Sequence, residues 1–192
     1  MTKPAMDSFD DEMLVVRVTQ ANRAAFGVLT ARHGARYRAL AFRFVNDMAL
    51  AEDLVQEAFV KLWTHASLFD ATKSKFTTWF HRIVVNRCLD EKRKRRILPL
   101  PEGFDVVDAA PAADDTLEVN AVQSRLKAVL GDLPERQRTA VVLNYFDGMS
   151  NQEAADVMGL NIKAYESLLV RARTNMRKKM MTERADLMSA FA

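Results

Sequence analysis

The clearest chemical pattern in the chain lies between Phe76 and Arg96, a stretch that ends in five consecutive cations, Lys92 to Arg96. At helical spacing its apolar and aromatic side chains form one stripe, so one side can pack on a core. The other side is free for a partner, and cations at a helix C-terminus can bind phosphate groups. The pattern indicates nucleic-acid binding. The polar face carries Thr78, Arg82, Asn86, Asp90 and Arg93.

The rest of the composition favours helices that position this stretch. The 192 residues are 49% apolar, with only six Gly and five Pro, and no clean alternating strand pattern occurs. The sequence therefore predicts an all-α fold. We expect Asp10 or Asp11 to open a first helix, a second helix to run through Tyr37 and to break at Asn46-Asp47, and a polar loop to span Phe69 to Lys75.

A third predicted helix, Asp47 to Trp63, is strongly amphipathic. Its apolar positions recur at four-residue intervals, as expected for a helix with one face on a core. The opposite face is either a solvated surface or a docking surface for a large partner, and periodicity alone leaves both interpretations open. That face carries Glu52, Asp53, Gln56, Glu57 and Lys61.

The chain changes character from Ile97 to Leu117, which holds three prolines, one glycine and five acidic residues but no Lys or Arg. Such a segment is too proline-broken for a helix and too acidic to lie on DNA, so it indicates a flexible linker. It is either a plain spacer or an acidic strand that occupies a basic channel in a partner. We therefore predict two small helical domains, at 9–96 and 118–182, a linker at 97–117 and a loose tail at 183–192.

The second domain contains the pattern of a helix-turn-helix. Ser150 and Glu153 match a capping box, Gly159 is placed to end that short helix, and Asn161 can cap the helix that follows. The last helix puts Tyr165, Leu168, Leu169 and Ala172 on an apolar side and is rich in cations from Arg171 to Lys179. Short helix pairs also occur as plain core, but the clustered cations favour DNA binding.

Three stretches together resemble one family, the small two-domain extracytoplasmic-function group of bacterial sigma-70 factors, which are linked to stress responses. AEDLVQEAFVKLW resembles the helix that docks on the β′ clamp helices of RNA polymerase. FTTWFHRIVVNRCLDEKRKRR resembles the helix that opens and reads the −10 promoter element, and the stretch from Leu133 to Met180 resembles the −35-reading domain. The resemblance covers about residues 9 to 180 in the family's order.

The resemblance implies a promoter-specificity subunit with three sets of contact residues. It implies a flipped-base pocket at Phe69 and the loop to Lys75, an amide at Asn86 that faces the melted strand, and a linker threaded into the polymerase. The polymerase-binding set is Glu52, Asp53, Gln56, Glu57 and Lys61. The −10 set is Phe69, Lys73, Lys75, Arg82, Asn86, Arg87, Lys92 and Arg93. The −35 set is Lys163, Glu166, Ser167, Val170, Arg171 and Arg173.

One position departs from the family pattern. The recognition helix of the family often carries basic residues on either side of a serine, whereas this chain has Glu166 before Ser167 and Leu168 after it. Neither can replace an arginine that contacts guanine or phosphate. Glu166 either accepts a hydrogen bond from a cytosine amino group or points into solvent.

The partners implied by the resemblance are core RNA polymerase, through its β′ clamp helices and β flap, promoter DNA and an anti-sigma factor. We expect neither enzymatic activity nor a cofactor or metal, since His81 and Cys88 share a helix face but two ligands do not make a structural zinc site. Cys88 is the sole cysteine, and no signal pattern or ~18-residue apolar run occurs. These features predict a cytoplasmic protein with no membrane insertion.

Two other functions are compatible with parts of the sequence. An autonomous helix-turn-helix repressor or activator would need neither the polar face of the third helix nor an acidic linker, and would bind duplex DNA tightly alone. A metal-dependent recombinase or nuclease could use Glu52 and Asp53, but neighbouring residues on a helix point about 100° apart, which makes a poor metal site.

Overall fold

A computed structural model describes residues 6–97 and 128–190. The described residues form helices joined by short turns and loops, with no strand among them, as predicted, and they divide into two compact units, one on each side of the gap. The predicted linker and the start of the second predicted domain lie outside the described residues. Each unit is built around its own buried apolar core.

The first unit contains four α-helices whose ends follow from short polar side chains. The Asp10 carboxylate accepts from the Met13 amide at 2.7 Å and begins the first helix, and Asn22 begins the second in the same way. Asn46 ends the second helix in the left-handed conformation, with φ of 56°, and Asp47 begins the third. The helices are α1 (Asp11–Thr19), α2 (Arg23–Val45), α3 (Met48–His65) and α4 (Phe76–Ile97).

The second helix runs through Tyr37 and ends at Asn46-Asp47, as predicted. It begins at Arg23, directly after a turn at 20–22, and continues as one helix to Val45. Ala21 takes a positive φ of 58° in that turn. No Gly or Pro marks this turn, so no turn signal of that kind predicts it.

Aromatic rings bring α2, α3 and α4 together. The Tyr37 ring lies 4.7 Å from that of Phe80, and Phe80 lies 4.8 Å from Phe59 and stacks on Phe76 at 5.4 Å. These ring contacts fix α4 against α2 and α3, since large rings bury much area and prefer such offset or tilted arrangements. The predicted apolar stripe of α4 is therefore confirmed, with Phe76, Phe80, Val84 and Cys88 completely buried.

The prediction that Thr78 lies on the polar face of α4 is wrong. Thr78 is only 6% exposed, whereas Arg82, Asn86, Asp90 and Arg93 are exposed. Thr78 lies in the first turn of α4, where the neighbouring elements cover more of the helix circumference than they do further along. The polar face therefore begins at Arg82.

The second unit is held by capped short helices around Tyr165. The helical segment 128–131 precedes α5 (Glu135–Val141), which continues as a π-helical turn over Val142–Phe146. Next come α6 (Asn151–Met158) and α7 (Ile162–Ala190). The completely buried Tyr165 donates its hydroxyl to the Ala140 carbonyl at 3.0 Å, which ties α7 to α5.

The predicted helix-turn-helix caps are all present. The Ser150–Glu153 capping box is formed in both directions, and Gly159 ends α6 with φ of 63°. The Asn161 side chain accepts from the Ala164 amide at 2.9 Å. The last helix continues to Ala190, into the segment 183–192 that the sequence analysis assigned to the tail.

Candidate nucleic-acid interface

The outer face of α3 presents the acidic and amide side chains that the sequence singled out. Asp53, Gln56, Glu57 and Lys61 are exposed, and so is the apolar Val60 at 61%, while the core positions of the same helix are buried against α2 and α4. Glu52 is half-buried, and its carboxylate lies 3.5 Å from the Arg38 guanidinium on α2. The exposed face of α3 is thus polar and mainly acidic, interrupted by Val60.

The outer face of α4 carries exposed cations and one exposed amide. Arg82, Asn86 and Arg93 recur at intervals of four and seven residues, so they lie on the same side of the helix. Asp90 also lies on this side, 3.5 Å from Arg93. The helix ends in Lys92–Arg96, where positive charge complements the partial negative charge of the helix C-terminus. This surface can bind a phosphate backbone and place an amide beside it.

Arg87 links the two candidate faces. Its guanidinium donates to the Glu57 carboxylate of α3. Because Arg87 directly follows Asn86 in the helix, the two side chains point about 100° apart. The side chains of Arg87 and Glu57 are 32% and 54% exposed. A pair this open to solvent contributes at most about 1 kcal/mol, so either partner can exchange it for another charge at small cost.

The loop before α4 is organised by Asp70. Its carboxylate accepts from the Thr72 hydroxyl at 2.6 Å and from the Thr72 amide at 3.0 Å, and lies 2.9 Å from the Lys73 ammonium. These interactions, the Thr72 hydroxyl first, lower the pKa of Asp70 to about 2. Lys73 is therefore exposed but paired, and the loop has a defined turn rather than an open polar coil.

Phe69 sits at the edge of the aromatic cluster. Its half-buried ring lies 5.5 Å from Trp79 and 6.3 Å from Phe76. Phe69 and Trp79 are thus partly accessible rings beside an exposed Lys75 and the Asp70 turn, an arrangement on which an unstacked base can lie.

Glu12 was missed by the sequence reasoning. Its carboxylate, on α1, accepts from the backbone amide of Phe76 at 2.9 Å. The first amides of a helix lack partners within the helix, so a carboxylate there stabilises the start of α4. A partner 64 residues away in the chain leaves no local signal, since capping motifs are recognised at separations of three residues.

The candidate −35 residues all lie on the open side of α7. Lys163, Glu166, Ser167, Arg171 and Arg173 are exposed, and Val170 is 54% exposed. Leu168 is only 7% exposed and packs in the core with Tyr165 and Leu169. Leu168 therefore lies on the apolar side of α7, as its spacing predicted, and it is not a candidate for a contact in the DNA groove. Of the two residues that flank Ser167, Glu166 is thus the exposed one that differs from the basic residues of the family pattern.

Two histidines, His33 and His81, and Cys88 belong to the core of the first unit, whereas His65 is exposed. His81 is completely buried, and its Nδ1 lies 2.6 Å from the Thr77 carbonyl and 3.0 Å from the Tyr37 hydroxyl. Burial raises the pKa of the Cys88 thiol to about 12. Within the described ranges, no three His, Cys, Asp or Glu side chains come together as a metal site.

The same ranges contain no helix long and apolar enough to span a membrane.

Two family matches cover the two units separately. Residues 29–97 match Sigma-70 region 2, which spans α2 to α4, and residues 119–176 match Sigma-70 region 4, which includes the helix-turn-helix. The boundaries coincide with the division of the described residues into two compact units. The two candidate faces on α3 and α4 thus belong to one family region and the α7 face to the other.

Curated relatives match over almost their whole length. The chain is 31% identical over 176 residues to the RNA polymerase sigma factor CnrH of Cupriavidus metallidurans, covering 86% of this chain and 92% of the relative. It is 34% identical to the sigma factor NccH of Alcaligenes xylosoxydans xylosoxydans, covering 92% and 95%. It is 30% identical to the ECF sigma-E factor of Haemophilus influenzae, covering 90% and 96%.

Solved structures agree with these relatives. CnrH in complex with the cytosolic domain of CnrY superposes with a TM-score of 0.69 at 30% identity, covering 90% of this chain and 97% of that one. RpoE of Bartonella quintana, in complex with the anti-sigma factor NepR, gives a TM-score of 0.65 at 27% identity, covering 81% and 96%. With both regions matched in order, the chain belongs to the extracytoplasmic-function group of the sigma-70 family of RNA polymerase sigma factors.

Proposed function

We propose that the chain binds core RNA polymerase and directs promoter-specific initiation by reading the −35 and −10 elements and helping to open the duplex. The observation that carries this proposal is the presence of three separate exposed faces in two matched regions. An acidic face on α3 stands beside a cationic face with an amide on α4, and a mixed polar face lies on α7. Polymerase binding and two kinds of DNA contact need separate surfaces of this chemistry.

The acidic face of α3 is the proposed polymerase-binding surface. Asp53, Gln56, Glu57 and Lys61 are exposed on rigid helix, and Glu52 borders them beside Arg38. The β′ clamp helices of polymerase are the proposed partner of this face, as the family resemblance implies, and the β flap is a further proposed contact of the chain. Buried charges are costly unless paired, so we expect the partner to supply cations opposite Asp53 and Glu57.

The outer face of α4 and the loop before it are the proposed −10 surface. Asn86 would read a base edge of the separated strand, while Arg82, Arg87, Lys92 and Arg93 hold phosphates. Phe69, with Lys73 and Lys75 in the loop, would hold the flipped base by stacking and charge. Extruding a base costs a few kcal/mol, which these contacts must supply.

The exposed side of α7 is the proposed −35 surface. Lys163, Glu166, Ser167 and Val170 would enter the major groove, and Arg171 and Arg173 would contact the backbone. The domain limits of 9–96 and 118–182 and the acidic linker at 97–117, with its path into the polymerase, stay part of this proposal.

The proposed subunit has no catalytic activity or cofactor of its own, and it acts in the cytoplasm, where bacterial polymerase transcribes. An anti-sigma factor is a further proposed partner. Support comes from RpoE, which was solved in complex with the anti-sigma factor NepR, and from CnrH, solved with the cytosolic domain of CnrY.

The two other functions are less well supported. An autonomous repressor would have no use for a region 2 match over α2 to α4, which the chain has. A nuclease would need Glu52 and Asp53 to converge, but Glu52 lies on Arg38 at the edge of the face. Tight operator binding by the free chain would favour the repressor, and metal-dependent cleavage lost in Asp53→Asn would favour the nuclease.

The −10 assignment is tested with Asn86→Ala in reconstituted holoenzyme. We expect closed-complex formation on duplex promoter, measured in the cold, to match wild type, and permanganate reactivity of the −10 thymines to fall severalfold. Gln56→Ala, which removes an exposed amide from α3, is the matched control and should reduce polymerase binding instead. Permanganate footprints of Asn86→Ala equal to wild type would remove Asn86 from the strand-opening surface.

A further inference from the structure

A chain of polar side chains connects the π-helical turn to the exposed face of α7. The Asn144 amide group donates to the Met149 carbonyl at 3.0 Å and to Asn151 Oδ1 at 3.1 Å. Asn151, the first residue of α6, then lies with its Nδ2 3.5 Å from Glu166 Oε1 on α7. Asn144 and Asn151 are half-buried, and Glu166 is exposed.

The direction of this chain follows from its fixed end. A backbone carbonyl only accepts, so the nitrogen of Asn144 must face Met149, and both of its hydrogens are then used. The second hydrogen requires the oxygen of Asn151 on that side. Asn151 therefore has to turn its NH₂ group outward, to Glu166, and the alternative amide orientation is excluded by the hydrogen bonds themselves.

The π-helical turn makes this contact possible. Val142–Phe146 carries an extra residue per turn relative to an α-helix, which changes the direction of Asn144 relative to the preceding α5. From this turn Asn144 contacts Met149 in the loop that leads into α6 and Asn151 at the start of that helix. The arrangement ties the position of an exposed carboxylate to two half-buried amides.

We propose that Asn144 and Asn151 are positioning residues that hold the Glu166 carboxylate as a hydrogen-bond acceptor in the major groove, where it selects cytosine. This inference rests on the proposed function of the α7 face. A base that presents an amino group satisfies the carboxylate, and cytosine presents N4 without a neighbouring acceptor. Adenine places the acceptor N7 beside its amino group, and guanine presents two acceptors. In both cases an acceptor atom with partial negative charge would lie against the carboxylate and repel it.

The consequence is that the direction of the hydrogen bond between protein and base is reversed at one base pair. An arginine before the serine would donate to guanine, whereas Glu166 in this chain accepts. An exposed glutamate normally samples many rotamers, and holding it in one geometry lowers the entropy lost on binding. The Asn151 contact thus matters for selectivity rather than for stability of the fold.

The test uses holoenzyme reconstituted from core polymerase and the full chain, on a promoter library with a randomised −35 region. Comparison of wild type with Glu166→Ala identifies the base pair that Glu166 reads. We expect wild type to enrich cytosine there about tenfold over thymine, the loss expected for one charge-assisted hydrogen bond. Asn151→Ala should lose most of that enrichment, and Asn144→Ala should do the same if its unit remains folded.

Two variants separate positioning from folding. Asn151→Asp still accepts from Asn144 but presents a carboxylate to Glu166, so it should lose the cytosine preference with an unchanged thermal midpoint. Gln152→Ala is the matched control, because Gln152 is the next residue on α6 and is bonded to Asp156 at 2.9 Å. It should retain the full preference.

A double-mutant cycle completes the test. A residue that acts only through Glu166 should have no effect once Glu166 is alanine. The single variant Glu166→Ala and the double variant Glu166→Ala with Asn151→Ala should therefore show the same base preferences in the −35 region. Retained cytosine preference in Asn151→Ala and Asn151→Asp, or an effect of Asn151→Ala in the Glu166→Ala background, would overturn the inference. Promoter-specific transcription without any Glu166-dependent base preference would overturn it too, but leave the proposed function intact. No promoter-specific transcription by wild type would instead refute the proposed function.

Discussion

Glu12 gives the most direct test of how α4 is held. Its carboxylate accepts from the Phe76 amide at 2.9 Å, and Phe76 itself is completely buried. Glu12→Ala leaves the first turn of α4 without this acceptor. Losing a helix N-terminal cap costs about 1–2 kcal/mol, and the lost interaction with the helix dipole lies within that range. Glu12→Gln keeps an acceptor and loses only the charge, so it should cost less than half as much.

The measurement is urea unfolding followed by tryptophan fluorescence. The two tryptophans, Trp63 and Trp79, both lie in the first unit, so their emission reports the unfolding of that unit alone. With an m-value of about 2 kcal/mol per molar urea, the expected loss lowers the midpoint by about 0.5–1 M.

The control for Glu12 is Glu52→Ala. The Glu52 side chain is 46% exposed and its contact with Arg38 is 3.5 Å, so its removal should change the unfolding free energy by about 0.5 kcal/mol or less. If the midpoint of Glu12→Ala equals that of Glu52→Ala, the contact between Glu12 and Phe76 does not stabilise the start of α4.

Three further predictions concern other contacts. Arg138 donates to the carbonyls of Leu130, Gly131 and Leu133, so Arg138→Ala should lower the thermal midpoint of the second unit by several degrees, measured by circular dichroism, and lysine should not restore it. The pKa of Asp70, about 2, should rise towards 3.8 in Thr72→Val when titrated by NMR. Because this pKa is depressed on folding, the turn is fully stabilised above about pH 4 and weakens as the pH falls towards 2. Cys88, buried and with its pKa raised to about 12, should resist Ellman's reagent at pH 8 until urea unfolds the first unit, and rapid reaction of the native chain would contradict that burial.

The elements that the sequence predicted well are those with a local physical cause. The stripe of α4 follows from helical period, and the capping box at Ser150 and Glu153 is a reciprocal contact between residues three apart. Asn46 and Gly159 end their helices in the left-handed conformation, which these residues tolerate and most others do not. Each signal is complete within one or two helical turns, so no knowledge of the tertiary fold was needed.

The parts that the sequence could not predict depend on what packs against each helix. Helical periodicity predicts the direction in which the Thr78 side chain points from the helix axis. Whether that side of the helix is buried depends on neighbouring elements that come from other parts of the chain. Arg87 was predicted as a phosphate contact, and its pairing with Glu57 of α3 follows only from the approach of two helices. The Glu12 contact with α4 and the chain from Asn144 to Glu166 are likewise tertiary.

The departure at Glu166 and Leu168 shows how structure divides a single sequence anomaly. Both residues looked unsuited to the groove, but Leu168 is core and only Glu166 is exposed. Side chains two apart on a helix point about 200° apart, so one anomaly belongs to packing and the other to recognition.

The central claim is that this chain gives promoter specificity to a polymerase that lacks it. The most direct measurement adds purified chain to core RNA polymerase and follows run-off transcription on genomic fragments. We expect discrete transcripts whose start sites share −35 and −10 elements when the chain is present, and none from core polymerase alone. Failure of the chain to bind core polymerase, or the same transcripts with and without the chain, would contradict it.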